Sequence, residues 1–229
     1  MPRARFKKQN EWQTAAADDH ASGCLSFYAL PPLAVIVIAY LLTWLALHAP
    51  GQTSALPIAQ PTLSTGLSPI FTREIQHWKD DILRWAGASS LDPNLVATIM
   101  QIESCGDPRA LSSAGAMGLF QVMPFHFHFG ENGFNPETNA LRGLNYLARS
   151  LAAANGDARL ALAGYNGGIG VITRGEWTWS AQTKRYVQYG APMYGDARSG
   201  VSSSAMLDEW YRNYGAGLCR QAAQRLGLP

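Results

Sequence analysis

Apolar residues are distributed unevenly along the 229-residue chain. Residues 21–72 contain no Asp, Glu, Lys or Arg, and within them residues 27–49 are apolar except for Thr43 and His48. About 20 apolar residues are enough for a helix to cross the hydrocarbon core of a bilayer. We therefore predict a single transmembrane helix over residues 27–49.

A cleaved signal peptide is the alternative interpretation of this run. Signal peptides usually place about 7–15 apolar residues after a short basic segment, whereas this run is longer and starts further from the N-terminus. Basic residues favour the cytoplasmic side of a membrane, and a cluster of them lies near the start of the chain. We therefore expect a single-pass cell-membrane protein with residues 1–26 in the cytoplasm and the chain after the span outside it. The cluster consists of Arg3, Arg5, Lys7 and Lys8.

Beyond the predicted span, composition indicates a linker followed by a folded domain. Residues 50–70 lack charge and are rich in Pro, Gly, Ser and Thr, which is typical of an extended linker. Apolar residues recur at helical spacing from Phe71 onward. We predict a main domain over residues 71–190 and a helical extension over residues 191–229 that packs on it.

The pattern after residue 71 is helical, and we find no alternating strand pattern. Asp92-Pro93 and Asn135-Pro136 are typical helix starts, because a side-chain oxygen caps the helix and proline is tolerated at its first position. The fold class is therefore predicted to be mainly α. The predicted helices cover residues 72–87, 93–104, 136 to about 155, 158–165 and 181–189, with one or two more between 205 and 226, interrupted near Gly215 and Gly217.

Composition and motifs exclude several classes of function. The formal net charge of +2 is too small to indicate a nucleic-acid partner, although it is compatible with an anionic polymer. Phosphate-loop, metal-protease and Ser-His-Asp signatures are absent from the sequence. His126 and His128 have poor spacing for chelation, so we expect neither a metal nor a cofactor.

Glu103 interrupts an apolar pattern. On the helix that starts at Pro93, Val96 and Ile99 form a stripe whose next member is Glu103. Burial raises the pKa of a carboxyl group, and a protonated acid at neutral pH is what cleavage of a glycosidic bond requires. The alternative is a solvated glutamate in a frayed last turn.

Several short motifs accompany this glutamate. They are Glu103-Ser104, the segment Ser112–Pro124 (Ser-Ser-Ala-Gly-Ala-Met-Gly-Leu-Phe-Gln-Val-Met-Pro), the segment Ala163–Asn166 (Ala-Gly-Tyr-Asn), and Thr183 with Tyr186-Val187. Their order and spacing over residues 78–190 resemble the Slt-type lytic transglycosylases. Phe120, Gly164 and Gln182 stand where that family usually has Met, Ala and Glu.

The resemblance implies a lysozyme-like fold with a groove for peptidoglycan glycan strands. It implies that Glu103 protonates the bond between N-acetylmuramic acid and N-acetylglucosamine, then acts as base on the muramic C6 hydroxyl to give a 1,6-anhydro ring. Glycosidases usually need two carboxylates, and we interpret the neighbouring acids Asp107, Glu131 and Glu137 as structural. The substrate-binding residues implied by the resemblance are Ser112, Gln121, Met123, Tyr165, Asn166 and Tyr186.

Cys105 and Cys219 would both lie outside the cytoplasm, where disulfides persist. We treat their pairing as a hypothesis, which would pin the C-terminal extension beside the catalytic helix. Two alternative functions remain open: a goose-type lysozyme-like hydrolase, and a catalytically silent peptidoglycan-binding assembly protein. The sequence indicates no particular protein partner.

Overall fold

The computed structural model describes residues 36–37, 39–44 and 66–229. The two short N-terminal stretches are helical and exposed. They belong to the predicted transmembrane segment, whose other residues lie outside the described part, as do residues 1–26 and the linker up to residue 65. Within the described residues, no helix combines the length and the apolar character needed to cross a membrane.

Residues 66–229 are mainly α-helical, as predicted. Extended pairing in this part of the chain is limited to isolated β-bridges that Met117 forms with Leu111 and Val122. We number eight α-helices in chain order. They are α1 (Arg73–His77), α2 (Lys79–Ala88), α3 (Pro93–Ser104), α4 (Pro136–Ala153), α5 (Ala158–Gly167), α6 (Ala181–Ser199), α7 (Ala205–Trp210) and α8 (Ala216–Leu226). Short 3-10 turns lie at Pro124–His126, Ile169–Val171 and Glu176–Thr178, and a π-helical turn, Tyr211–Gly215, joins α7 to α8.

Helix α3 lies at the centre of the domain. It contacts α1, α2, α6 and α8, and nearly all of its residues are buried. Its start matches the predicted one, since the Asp92 side chain accepts a hydrogen bond from the backbone N–H of Asn94 at 2.8 Å and Pro93 occupies the first position. The helix ends at Cys105, which adopts a left-handed conformation with φ 51°.

Two helix boundaries differ from the prediction. The helix expected over residues 72–87 is broken at Trp78, whose indole N–H donates to the Gly106 carbonyl at 2.9 Å, so the chain bends where it meets the turn after α3. Helix α6 continues to Ser199 despite Pro192 inside it. The continuation buries Met193 and Ala197 against the core, and this packing outweighs the helix-breaking tendency of proline.

The folded domain also begins earlier than expected. Residues 66–70 were assigned to the linker, but Ile70 belongs to the core and Ser68 is buried. The Ser68 backbone N–H donates to Asn94 Oδ1 at 2.8 Å, and Gln76 Nε2 donates to the Ser68 carbonyl at 2.8 Å. This segment is therefore fastened to the first turn of α3.

Candidate active site

Glu103 lies in the last turn of α3, with its side chain partly open to a cavity of about 200 Å³. Burial among apolar and aromatic neighbours raises the pKa of Glu103 from 4.5 to about 8, and the hydroxyl of Tyr186 lowers it only in part. A group with this pKa is largely a neutral acid at pH 7. The geometry therefore favours the protonated form that the sequence analysis expected, and α3 is not frayed at this point.

Two tyrosines lie close to Glu103. The Tyr186 hydroxyl is buried and affects the pKa of Glu103, yet within the described residues it meets no partner at full hydrogen-bond geometry. The Tyr165 hydroxyl donates to the Phe120 carbonyl at 2.8 Å. Burial, and then the nearby Glu103, raises the pKa of Tyr165 well above 10, so its hydroxyl stays protonated. Tyr165 thus holds the loop after α3, while Tyr186 has capacity to bond to a ligand or to Glu103.

The loop after α3 is fixed to that helix by hydrogen bonds. Ser104 Oγ donates to the Leu119 carbonyl at 2.7 Å. Gln121 Nε2 donates to the Ala110 and Gly118 carbonyls at 3.2 and 3.1 Å. Gly118 has φ 71°, and an added Cβ would lie 2.6 Å from the Asn139 side chain, so only glycine fits there. These contacts hold the Gln121 side of the loop in one position relative to Glu103.

A second cavity of about 300 Å³ contains most of the remaining predicted binding residues. Gln121, Met123 and Tyr165 line it, together with the aromatic residue Tyr146. Asn166 lines both this cavity and the one that holds Glu103, and its Oδ1 accepts a hydrogen bond from Thr183 Oγ1 at 3.1 Å. The two cavities therefore meet at Asn166.

Ser112 is placed differently from the other predicted site residues. Its Oγ accepts a hydrogen bond from the Ala116 backbone N–H at 2.9 Å, which closes the tight turn between them. Ser112 is not among the residues that line either cavity. In this structure its direct role is to shape the loop, and its role toward a sugar stays a prediction.

The residues on one side of the Glu103 cavity were not predicted from the sequence. Gln182 and Arg185 on α6, with Tyr189, lie on the same helix face as Tyr186, and Trp210 and Tyr214 come from the C-terminal extension. The spacing of the α6 residues was visible in the sequence as an i, i+3, i+4, i+7 pattern. The C-terminal extension was predicted only to pack on the main domain, and no local signal places its two aromatic residues beside residue 103.

The structure joins Cys105 and Cys219 in a disulfide, with sulfurs 1.91 Å and Cα atoms 5.0 Å apart. An ion pair with a buried carboxylate lies nearby, since Arg225 Nη1 donates to Asp107 Oδ2 at 2.7 Å. Gln221 Nε2 also donates to that carboxylate, at 2.7 Å. Helix α8 is therefore held against the end of α3, as the hypothesis of a Cys105–Cys219 pairing expected.

The other two neighbouring acids also have structural partners. Glu131 forms an ion pair with Arg142, which with the His128 backbone N–H holds its pKa down at about 2. Glu137 pairs with Arg84, which lowers its pKa. Neither residue lines the cavity that holds Glu103.

Two of the three departures from the family motifs, at Phe120 and Gly164, have a packing explanation. Phe120 is fully buried and packs edge-on against Trp85, with ring centroids 6.2 Å apart. At Gly164 an added Cβ would lie 2.3 Å from Ser150 Oγ and 2.6 Å from Ile172 Cδ1. Alanine at residue 164 would therefore need the neighbouring side chains to move.

Among the described residues, the one cluster with metal-ligand geometry is Glu74 with Cys105 and Cys219. The two sulfurs are already bonded to each other, which removes the thiolates that a metal would need.

Comparison with known proteins identifies related sequences. Residues 80–187 match the family model described as the transglycosylase SLT domain. A transglycosylase of Enterobacteria phage PRD1 is 38% identical over 111 residues, which are 48% of this chain and 40% of the phage protein. An X-ray structure of an inactive mutant of the lytic transglycosylase Slt from Pseudomonas aeruginosa aligns with a TM-score of 0.43 and 24% identity, over 55% of this chain and 24% of that one. The chain thus spans less than half the length of these relatives.

Proposed function

We propose, from the match of residues 80–187 to the transglycosylase SLT domain, that this chain is a peptidoglycan lytic transglycosylase. Its active site would lie in a lysozyme-like groove, with Glu103 as the catalytic acid. The observation that carries the proposal is a single neutral carboxylic acid in a groove. Glu103 is the only Asp or Glu among the described residues that line the two cavities meeting at Asn166. Its pKa of about 8 keeps it protonated at neutral pH.

One carboxylate is sufficient for this reaction because the substrate supplies its own nucleophile. Protonated Glu103 donates its proton to the glycosidic oxygen as the bond between that oxygen and C1 of N-acetylmuramic acid breaks. The N-acetylglucosamine end leaves as an alcohol. The resulting Glu103 carboxylate then takes the proton of the muramic C6 hydroxyl while O6 bonds to C1. This closes the 1,6-anhydro ring and restores the acid.

The surroundings of Glu103 suit both steps. Burial favours the neutral acid in the first step, and the adjacent Tyr186 hydroxyl is positioned to stabilise the carboxylate that the first step leaves behind. A hydrolase of the usual type would instead need a second carboxylate, either as a nucleophile about 5–5.5 Å from the acid or as a base that activates water about 6.5–9.5 Å from it. The absence of a second Asp or Glu from the described residues that line the two cavities favours the lyase.

We also propose that residues 27–49 anchor the enzyme in the cell membrane, with residues 1–26 in the cytoplasm. The length and apolar character of this run and the basic residues before it support the anchor. The charge-free linker that follows would let the domain reach only the wall near the membrane. Protease treatment of intact cells should digest the domain and spare an N-terminal tag, whereas release of the whole chain into the medium would contradict the anchor.

Product analysis tests the proposed reaction. The full chain in detergent is incubated with purified peptidoglycan, beside a Glu103→Gln control, and released muropeptides are identified by mass spectrometry. We expect anhydro-muramic products that disappear in the control. Reducing muramic ends would establish a lysozyme-type hydrolase instead. Binding without any released product would establish a silent peptidoglycan-binding protein.

A further inference from the structure

One wall of the Glu103 cavity comes from outside the segment matched by the family model. We call Tyr189, Trp210 and Tyr214 the C-terminal wall. All three line the cavity and follow residue 187, where the match ends. Tyr189 and Trp210 are buried, whereas 52% of Tyr214 is exposed. This wall therefore presents one accessible aromatic ring, that of Tyr214, at the mouth of the cavity.

The position of Tyr214 is set by a π-helical turn, Tyr211–Gly215. Such turns are rare and are often found at functional sites. Its last residue has to be glycine, because a Cβ on Gly215 would lie 2.4 Å from the Trp210 ring. The Tyr189 hydroxyl donates to Glu209 Oε1 at 3.1 Å, which ties α6 to the residues just before the turn.

Arg185 is the cation of this cavity. It is exposed on α6, and its guanidinium carbon lies 5.2 Å from the centroid of the Tyr214 ring. Most of the ion-paired arginines of the domain have a carboxylate from another part of the fold, as Arg142 does with Glu131 and Arg225 with Asp107. Within the described residues, Arg185 forms no salt bridge within 4.0 Å. Its guanidinium lies over the aromatic ring of Tyr214, and the residue lines the cavity.

Glu103 does not serve as the partner of this cation. Its pKa is shifted by burial and by the Tyr186 hydroxyl, and Arg185 is not among the causes. The acid therefore stays neutral although a positive charge lies in the same cavity. Within the described residues, Arg185 and Glu103 form no salt bridge, so the charge of the guanidinium is available for a ligand.

We propose that Arg185, supported by the ring of Tyr214, binds a carboxylate of the peptidoglycan strand. This inference rests on the proposed function, because it identifies the feature of the substrate that the groove recognises. The carboxylate belongs either to the lactyl group of a peptide-free muramic acid or to the stem peptide that the lactyl group carries. Guanidinium groups bind carboxylates with two parallel hydrogen bonds, which a lysine cannot reproduce.

The test compares three substrates that differ in their carboxylates. Intact peptidoglycan carries stem-peptide carboxylates. Strands stripped by an amidase carry only the lactyl carboxylate, and stripped strands treated with carbodiimide and methylamine carry none. For each, kcat/KM for release of anhydro products is measured with the full chain and with Arg185→Gln, Arg185→Lys and Arg220→Gln. Arg220→Gln is the control, because it removes the same charge from α8 at a residue that lines neither cavity.

We expect Arg185→Gln to lower kcat/KM by about tenfold on a carboxylate-bearing substrate, mainly through KM, as for loss of one charge-assisted contact. Arg185→Lys should recover part of this loss, and Arg220→Gln should match the wild type. A loss on intact peptidoglycan alone assigns the stem-peptide carboxylates, and a loss on stripped strands alone assigns the lactyl carboxylate, which is free only there. A loss on both shows that Arg185 binds either carboxylate. The amidated strands should be cleaved equally by all variants. An equal loss on all three substrates, or no loss on any, would overturn the proposal.

Two further measurements separate this inference from the proposed reaction. Co-sedimentation with the same three substrates, in a Glu103→Gln background, reports binding whether or not the wild type turns over. Arg185→Gln should weaken binding only to the strands that carry carboxylates, and unchanged binding to all three contradicts the inference. Tyr214→Ala should lose part of the discrimination, because it removes the ring under the guanidinium, and Tyr214→Phe, which keeps the ring, should lose less.

Discussion

Replacing Glu103 with Gln should abolish activity and at the same time stabilise the folded protein at alkaline pH. The unfolded chain releases the Glu103 proton near pH 4.5, whereas the folded chain holds it until about pH 8. Between these values the folded state binds a proton that the unfolded state lacks, so a rise in pH favours unfolding. Stability that is present in full below pH 4.5 is therefore lost progressively up to about pH 8. Glutamine does not titrate and should show no such loss.

The expected magnitude follows from the same two values. One proton of difference changes the free energy of unfolding by about 1.4 kcal/mol for each pH unit. Over the interval from pH 4.5 to about 8, the limit is about 5 kcal/mol. Glu103 is partly open to the groove, so water screens part of this cost. We expect Glu103→Gln to gain about 2–5 kcal/mol relative to the wild type between pH 5 and pH 9.

Urea unfolding followed by tryptophan fluorescence measures this difference. The free energies of unfolding of the wild type and Glu103→Gln are determined at each pH unit from 5 to 9 and subtracted, which cancels the titration of groups common to both. Glu131→Gln is the matched control. Its pKa is held at about 2 by Arg142 and the His128 backbone N–H, so its difference from the wild type should not change over this range.

A flat difference curve for Glu103→Gln would refute the reasoning. It would mean that Glu103 is ionised throughout the range, with the groove solvating its charge. The proposed acid would then need another source for its proton.

Three other predictions test separate parts of the structure. Replacing Cys105 and Cys219 together with Ser should lower the free energy of unfolding by about 4–5 kcal/mol under oxidising conditions, since the bond spans 114 residues; an unchanged melting temperature would count against it. Gly164→Ala should destabilise the folded protein by about 1–3 kcal/mol through overpacking. Gly195 is an exposed helix position with open space around it, so Gly195→Ala should stabilise the protein by about 0.5–1 kcal/mol. The opposite order of melting temperatures would disprove the packing argument. Tyr186→Phe removes the hydroxyl that lowers the pKa of the catalytic acid, so the alkaline limb of kcat/KM against pH should move upward, and a downward shift would reverse the assigned role.

Local signals in the sequence predicted both ends of helix α3. The Asp92-Pro93 start and the predicted end at Ser104 are both observed. A carboxylate in the buried stripe of that helix was recognised because its type conflicts with its neighbours, and its raised pKa agrees. The family resemblance drawn from the motifs is confirmed by the match over residues 80–187. These features depend on residues close together in the chain, and this is why they could be predicted.

Contacts between distant residues were predicted less well. The extension of α6 past Pro192 depends on burial of Met193 and Ala197, which exceeds the local preference of proline. The break at Trp78 depends on its bond to Gly106. Both reflect tertiary packing that overrides a local propensity.

The sequence by itself determined the helical class, the bounds of α3 and the place of Glu103 in its buried stripe, because capping, periodicity and short motifs are local properties of the chain. The tertiary structure alone decided that the C-terminal extension, held by the bond of Cys219 to Cys105, places Tyr214 beside Arg185 in the cavity of Glu103. The physical reason is that side chains far apart in sequence share a cavity only once the helices between them have packed.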